Sequence, residues 1–178
     1  MTAKRDSGQT RHPPSAPSSL SYERDERGGI MLYHGGAPGF SVGDHIMPHG
    51  GKRQQGCPIC DAGGDVNHLP DRVFASTLRL YGKYYASKWG RGWLYVVEPE
   101  GALVRSETDP FETYHAPRFR VTKVCERGVE LTMSERRHLY RLWRDDDLAR
   151  GRGSDPAMLV GDRALRRALG IQEGILNR

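Results

Sequence analysis

Apolar residues in this chain come in short runs of four or five, and glycine or proline follows each run closely. Ile30–Tyr33 precedes a His-Gly-Gly triplet, and Trp93–Val97 is closed by Pro99 and Gly101. Runs of this length favour strands, because helices need ten or more residues to form a buried face. The 22 glycines and 11 prolines also interrupt the chain often. The pattern predicts an α+β domain, with a small sheet and few, short helices.

The spacing of apolar residues predicts the remaining elements. Three segments carry helical spacing or capping signals: 78–89, which holds Leu80, Tyr81, Tyr84, Tyr85 and Trp89; 134–150; and a weak helix near 162–169. The second helix follows Thr132 and Glu135, a capping-box pair. Its charged face is expected to be solvated, with a surface that faces phosphate or nucleic acid as the alternative. Further strands are predicted at Gly43–Met47, Val73–Thr77, Phe119–Thr122 and, after a turn at Arg127-Gly128, Val129–Leu131.

Composition divides the chain into three parts. Residues 1–29 hold almost no apolar side chains, which predicts a disordered tail. The folded domain is expected over 30–150, and 151–178 form a C-terminal extension. Two long connections interrupt the domain: 48–72, which contains a Cys-x-x-Cys pair, and an acidic loop over 100–117.

Charge and cysteine content restrict the class of protein. The net charge of +5 permits phosphate-bearing ligands without requiring a nucleic-acid surface. No apolar run approaches the roughly 18 residues of a membrane span, and the first residues lack the apolar core of a signal peptide. Three cysteines cannot build a disulfide framework, which suits a reducing compartment. A soluble cytoplasmic protein is therefore expected.

Three local features are candidates for chemistry, and each also has an ordinary structural explanation. His34 ends a strand before two glycines, where it could donate to a ligand or simply precede a turn. The tyrosines of the 78–89 segment could stack on a flat ring or pack in a core. Glu107, Asp109 and Glu112 could stabilise a developing positive charge or form a solvated turn.

The order of several short motifs resembles a known family. These motifs are Tyr33-His34-Gly35, Phe74-Ala75-Ser76-Thr77, Val97-Glu98-Pro99-Glu100-Gly101, Asp109-Pro110 and Thr113-Tyr114-His115. Over roughly residues 30–125 they are similar to the ADP-ribosyltransferases, above all to the small bacterial rifamycin ADP-ribosyltransferases. The resemblance implies a split mixed or antiparallel sheet. It also implies an enzyme that transfers ADP-ribose from NAD to an acceptor and releases nicotinamide.

The resemblance also assigns roles. His34, with Gly35 and Gly36, would bind the NAD ribose beside nicotinamide. Phe74 stands where family members carry a tyrosine that lines the nicotinamide pocket, and Ser76 and Thr77 beside it would also bind NAD. Tyr85 would stack on nicotinamide, with Tyr81 and Tyr84 as alternatives. Asp109 would be the catalytic acid, with Glu107 or Glu112 as alternatives.

The Cys57-x-x-Cys60 pair has the spacing of a zinc knuckle. A complete site needs four ligands, so His68 together with His45 or His49 would have to join it. Free thiols or a redox pair are the alternatives.

Two other functions remain open from the sequence. One is a non-catalytic module that binds NAD, ADP-ribose or nucleic acid, which the phenylalanine at position 74 makes plausible. The other is an enzyme similar to the RNA 2′-phosphotransferases, which would need further His and Arg residues around a phosphate. The acceptor of ADP-ribose could be a small molecule, a protein, a nucleic acid or water.

Overall fold

The computed structural model describes residues 23–24, 28–48, 69, 71–153 and 155–171. Within these residues it contains seven strands and four helices. The strands are β1 (Leu32–Gly36), β2 (His45–Ile46), β3 (Val73–Ser76), β4 (Trp93–Glu100), β5 (Val104–Arg105), β6 (Thr113–Ala116) and β7 (Arg118–Glu126). The helices are α1 (Arg79–Lys88), α2 (Met133–Ala149), α3 (Ala157–Gly161) and α4 (Arg163–Ala168).

The strands form one sheet in the order β2-β7-β4-β1-β3-β6-β5. Every pairing of named strands in the described part of the chain is antiparallel. The predicted α+β class is confirmed, and the mixed sheet offered as one form of it is wrong. No helix among the described residues is long and apolar enough to cross a bilayer.

The two faces of the sheet carry different cores, because side chains alternate along each strand. One face buries an aliphatic and aromatic cluster that includes Leu32, Ala75, Tyr95, Val97 and Phe119. The other face buries Tyr33 and Leu94 together with Ala86 of α1. A third cluster joins α1 to the remaining helices and contains Tyr81, Tyr84, Phe111, Leu139, Trp143, Met158, Leu159 and Leu165.

The helices agree closely with the sequence predictions. Helix α1 begins and ends within one residue of the predicted 78–89 segment. Helix α2 begins with the predicted capping box, in which the Glu135 amide donates to the Thr132 hydroxyl. The weak helix near 162–169 is α4, and α3 precedes it.

Several strand predictions were wrong. The His-Gly-Gly triplet does not stop β1 but forms its second half. Pro99 lies inside β4, where β1 no longer pairs with that strand and β7 is the remaining neighbour, through Phe119. Residues 129–131 are extended but unpaired as a strand, and the acidic loop contains β5 and β6.

Candidate functional site

At the centre of the sheet, strands β1 and β3 are neighbours that share a single residue pair. β1 meets β4 through five Cα partners but meets β3 through only one, Tyr33 with Ser76. From that pair toward Gly36 and Val73 the two strands form no further ladder pairs. We call this boundary, formed by Tyr33–Gly36 and Val73–Ser76, the seam. It separates the half β2-β7-β4-β1 from the half β3-β6-β5.

His34 bridges the seam where the ladder is missing. Its Nδ1 lies 2.8 Å from the carbonyl oxygen of Phe74. A carbonyl can only accept, so Nδ1 carries the proton and a neutral imidazole has its lone pair on Nε2. A Cβ on Gly36 would lie 2.7 Å from that Nε2. The glycine therefore leaves space beside the nitrogen that the family resemblance assigns to ribose binding.

His34 lies beside an aromatic cluster centred on Tyr95, on the same face of the sheet. Tyr95 is its cross-strand partner in β4, with ring centroids 6.5 Å apart and planes at 28°. Phe40 meets Tyr95 edge-on at 5.8 Å, and Trp93 lies 6.2 Å from Tyr95. The Tyr95 hydroxyl donates to the Ala37 carbonyl at 2.7 Å. Sequence reasoning treated Trp93 and Tyr95 only as strand residues, although their alternate positions already put them on one face.

Phe74 faces the other way. Val73 and Ala75, its neighbours in β3, are buried in the cluster that contains Tyr95, so the Phe74 ring leaves the sheet on the side of α1. There it packs against His115, its cross-strand partner, at 5.4 Å. The rings of His34 and Phe74 therefore lie on opposite faces, joined through the Phe74 carbonyl.

His115 is a site residue that the sequence reasoning used only as part of a motif. Its Nδ1 is buried and has no hydrogen-bond partner within the described part of the chain. Burial lowers the pKa of His115, and Arg72 lowers it further, while Asp109 and Asp71 oppose the shift. The imidazole is therefore neutral at neutral pH.

Asp109 is held by the tyrosines of α1. Its carboxylate accepts hydrogen bonds from the Ser106 hydroxyl at 2.6 Å and from the Tyr81 hydroxyl at 3.2 Å. The Tyr81 hydroxyl lies 3.1 Å from that of Tyr85. Burial raises the pKa of Tyr81 well above its ordinary value, so this hydroxyl stays protonated as a donor. Of the alternative acids, Glu107 is exposed and Glu112 is half-buried.

The side chains of Ser76 and Thr77 form hydrogen bonds within the protein. Both are buried, and both hydroxyls donate to the carbonyl of Glu112, at 3.4 and 3.2 Å. The Thr77 amide donates to the same oxygen at 3.0 Å. These residues attach the end of β3 to the acidic loop.

Gly35 also has a structural role. Helix α1 crosses β1 so closely that a Cβ on Gly35 would overlap the Gly82 carbonyl oxygen and lie 2.6 Å from the Ala86 nitrogen. The absence of a side chain at this position is required by the helix.

The acidic loop is fixed by the end of α2. Arg150 donates to the carbonyls of Asp109 and Phe111 at 3.1 and 2.9 Å, and Arg152 donates to that of Thr108 at 2.7 Å. Asp146 pairs with both arginines, at 3.0 and 3.2 Å. Phe111 is buried with a φ of 61°, a left-handed conformation that side chains disfavour. The loop that carries Asp109 is therefore held in a strained conformation by these contacts.

The structure thus places the predicted residues in two groups, which lie on opposite sides of the sheet. His34 lies with Tyr95 on one face of the sheet. Asp109 lies with Tyr81 and Tyr85 in the helical layer, on the side of the Phe74 ring.

The predicted zinc ligands Cys57, Cys60, His49 and His68 lie outside the described residues. His45 is described, and its Nε2 lies 3.0 Å from the Glu100 carboxylate. No group of three or more potential metal ligands occurs among the residues for which coordinates are described.

Comparison with known proteins returned no matching family model and no matching curated protein.

Proposed function

We propose that this chain is an NAD-dependent ADP-ribosyltransferase. The observation that carries the proposal is His34, which crosses an unpaired stretch of the seam and holds its Nδ1–H on the Phe74 carbonyl. The Tyr-His-Gly, Val-Glu-Pro-Glu-Gly and Asp-Pro motifs, in the order found in rifamycin ADP-ribosyltransferases, support the same activity.

The residues at the seam fit a sugar hydroxyl. With Nδ1 donating to the Phe74 carbonyl, the ring edge that would face a ribose hydroxyl is that of Nε2. Gly36 keeps the volume beside that atom clear of a side chain. Bound NAD would supply an ADP-ribosyl group on a positively charged leaving group, and the reaction would release nicotinamide and the proton of the acceptor.

Asp109 would contribute electrostatically. A fixed carboxylate stabilises positive charge that develops on a sugar, and it does so without reorganising in the transition state. The hydrogen bonds from Ser106 and Tyr81 hold the Asp109 carboxylate in one position. Arg150, the residue that follows α2, holds the loop backbone around it.

The direct test is release of nicotinamide from NAD by the purified protein. We expect turnover that His34→Gln lowers at least about 100-fold, the size of effect that a preorganised group near developing charge contributes. His138→Gln, an exposed histidine on α2, is the matched control and should retain full turnover. Absence of nicotinamide release by the unaltered protein, with every acceptor class supplied, would refute the transferase.

A binding module without turnover is the second candidate. Both carboxylate oxygens of Asp109 accept hydrogen bonds from the protein, which favours a module that binds without catalysis. The phenylalanine at position 74 favours the same function. Calorimetry would then detect NAD binding that His34→Gln weakens, with no nicotinamide released. Phe74→Tyr introduces the hydroxyl found in the family that this chain resembles. It should leave a binding module inactive but raise the turnover of an enzyme.

A further inference from the structure

The outer side of α2 carries arginines that no acidic side chain neutralises. Arg137 and Arg141 are both exposed, and neither forms an ion pair within the described part of the chain. Their spacing of four residues puts them on one side of the helix. The opposite side holds Leu139 and Trp143, which are buried in the cluster between the helices. This side of α2 therefore presents positive charge to solvent.

Helix α4 adds three more arginines of the same kind. Arg163 and Arg167 are exposed and Arg166 is half-buried, and none of the three has an ion pair among the residues that the structure describes. The ion pair of Arg136 with Asp162 joins the first turn of α2 to the residue that caps α4. The two groups of arginines therefore lie on neighbouring helices. We call the surface that they form the basic face: Arg137, Arg141, Arg163, Arg166 and Arg167.

The aspartates at 145–147 do not cancel the charge of the basic face, because each of them has an arginine of its own. In chain order these aspartates pair with Arg144 at 3.3 Å, Arg150 at 3.0 Å and Arg152 at 2.8 Å, none of which belongs to the basic face. Within the described residues of 133–171, Asp155 is the one carboxylate without an ion pair. Positive charge therefore exceeds negative charge on this surface.

We propose that the basic face binds the phosphate backbone of a nucleic acid. The backbone repeats a negative charge at regular intervals, so arginines at intervals along two helices can contact several phosphates of one strand. Each guanidinium presents a rigid fork of donors that matches the oxygens of a phosphate. An anionic membrane fits less well, because a helix that lies on lipid inserts an apolar face, and the apolar face of α2 is buried within the protein.

The inference does not depend on transferase activity, and its test uses no NAD. Fluorescence anisotropy would measure the binding of a labelled oligonucleotide of mixed sequence, as a single strand and as a duplex, over a range of salt concentrations. The logarithm of the affinity should fall linearly with that of the salt concentration, by about 0.7 per contacted phosphate for a single strand and about 0.9 for a duplex. The form that binds more tightly is the one that the face fits. Absence of binding to both forms, or binding that salt does not weaken, would overturn the proposal.

Two double variants locate the contact. The variant that combines Arg137→Gln with Arg141→Gln should weaken binding about tenfold or more and reduce the salt slope by about 1 for each arginine lost. The control combines Arg105→Gln with Lys123→Gln, which makes the same change in net charge at exposed positions on β5 and β7. Its affinity should stay within about twofold of the unaltered protein. Equal losses in the two double variants would overturn the proposal, and thermal melts would verify that both are folded.

Two other polyanions distinguish a nucleic-acid surface from a general attraction to negative charge. Vesicles of phosphatidylcholine and phosphatidylserine test a membrane surface, and polyglutamate tests an acidic protein segment. Both should bind more weakly than the oligonucleotide at the same salt concentration, because neither offers a regular row of phosphates on one strand. Equal or tighter binding of the vesicles or of polyglutamate would overturn the proposal.

Discussion

Gly35 and Gly36 are adjacent, yet they lack side chains for different reasons. Gly35 faces α1, whose backbone passes so close that a methyl group would overlap it. Gly36 faces the opposite side, where it leaves space beside His34 Nε2. The two glycines look alike in the sequence, and only the alternation along β1 separates the packing role of Gly35 from the position of Gly36 beside the His34 ring.

Gly35→Ala should destabilise the fold. The added methyl group must push α1 away from β1, and overpacking of this kind costs roughly 1–3 kcal/mol, or more where backbone must move. The midpoint of urea unfolding measures the loss. Gly153→Ala is the control, because none of the described residues comes within 4 Å of the position that a Cβ would take there, and its midpoint should barely change. Equal midpoints for the two variants would contradict the close approach of helix and strand.

Individual residues also mark the limit of prediction from the sequence. His34, Phe74 and the tyrosines of α1 could be singled out because their motifs and spacing are local. The opposite orientation of the His34 and Phe74 rings depends on the Tyr33–Ser76 pairing, which joins residues 43 positions apart in the chain. No local pattern contains that register.

Helix α2 connects the helical layer to the sheet at its first turn. The Lys83 ammonium of α1 lies 2.7 Å from the Glu135 carboxylate and 3.2 Å from that of Glu126 in β7. Burial alone would raise the pKa of Glu135, but the hydrogen bonds from Lys83 and Thr132 outweigh it and lower that pKa. The stabilisation by Glu135 is therefore present above its unfolded pKa of about 4.3, and it disappears as the pH falls through the lower folded value.

Lys83→Met should test this pH dependence. At pH 7 it should lower the free energy of unfolding by about 1–3 kcal/mol, because it removes charged hydrogen bonds from two carboxylates. Below the folded pKa of Glu135 the difference from the unaltered protein should shrink. Arg79→Met is the control, since Arg79 makes a longer and more exposed pair with Glu126 and should cost less than about 1 kcal/mol. A difference that stays constant between pH 7 and pH 3 would rule out the linkage.

The last turn of α2 restrains the acidic loop. Arg150→Gln should remove the donors to the Asp109 and Phe111 carbonyls, so the strained Phe111 backbone would relax more often. Amide exchange over 106–112 should become faster, by about tenfold for each 1.4 kcal/mol lost locally. Arg144→Gln, which removes a pair with the adjacent Asp145 on the same helix, should not change exchange in the loop. Unchanged exchange in Arg150→Gln would exclude the restraint.

Prediction from sequence succeeded for elements with a local cause. The capping box fixed the start of α2, and the tyrosine spacing located α1. β6 was missed within the acidic loop because it pairs with β3, far earlier in the chain, and β5 because it is only two residues long. Val129–Leu131 has strand composition but belongs to no strand. The run of aspartates in α2 was read as solvated, whereas Asp146 and Asp147 are mostly buried beside Arg150 and Arg152.

At the scale of the molecule, the seam divides a continuous sheet into unequal halves. β4 and β7 share a ladder of seven residue pairs, whereas β5 contributes only two pairs and the halves share one. Strands with fewer shared hydrogen bonds open at lower free energy. The half β3-β6-β5 is therefore expected to open before the rest of the sheet.

Native-state hydrogen exchange at low denaturant should detect this order. Amides in β6 should exchange through a sub-global opening whose free energy lies below that of amides in β4 and β7. A ligand that binds across the seam should raise the opening free energy of β6 toward that of β4 and β7, because a ligand that binds only the closed form stabilises that form. One common opening free energy for all strands would contradict the division.

The chain leaves the seam at Gly36 and returns to it at Val73, so 36 intervening residues begin and end beside His34 and the Phe74 carbonyl. Lengthening or shortening that stretch alters no ladder pair between β1 and β3, whose single contact lies at the far end of both strands. The β1–β3 ladder therefore does not set the length of this connection, and an insertion into it would leave the Tyr33–Ser76 pair in place.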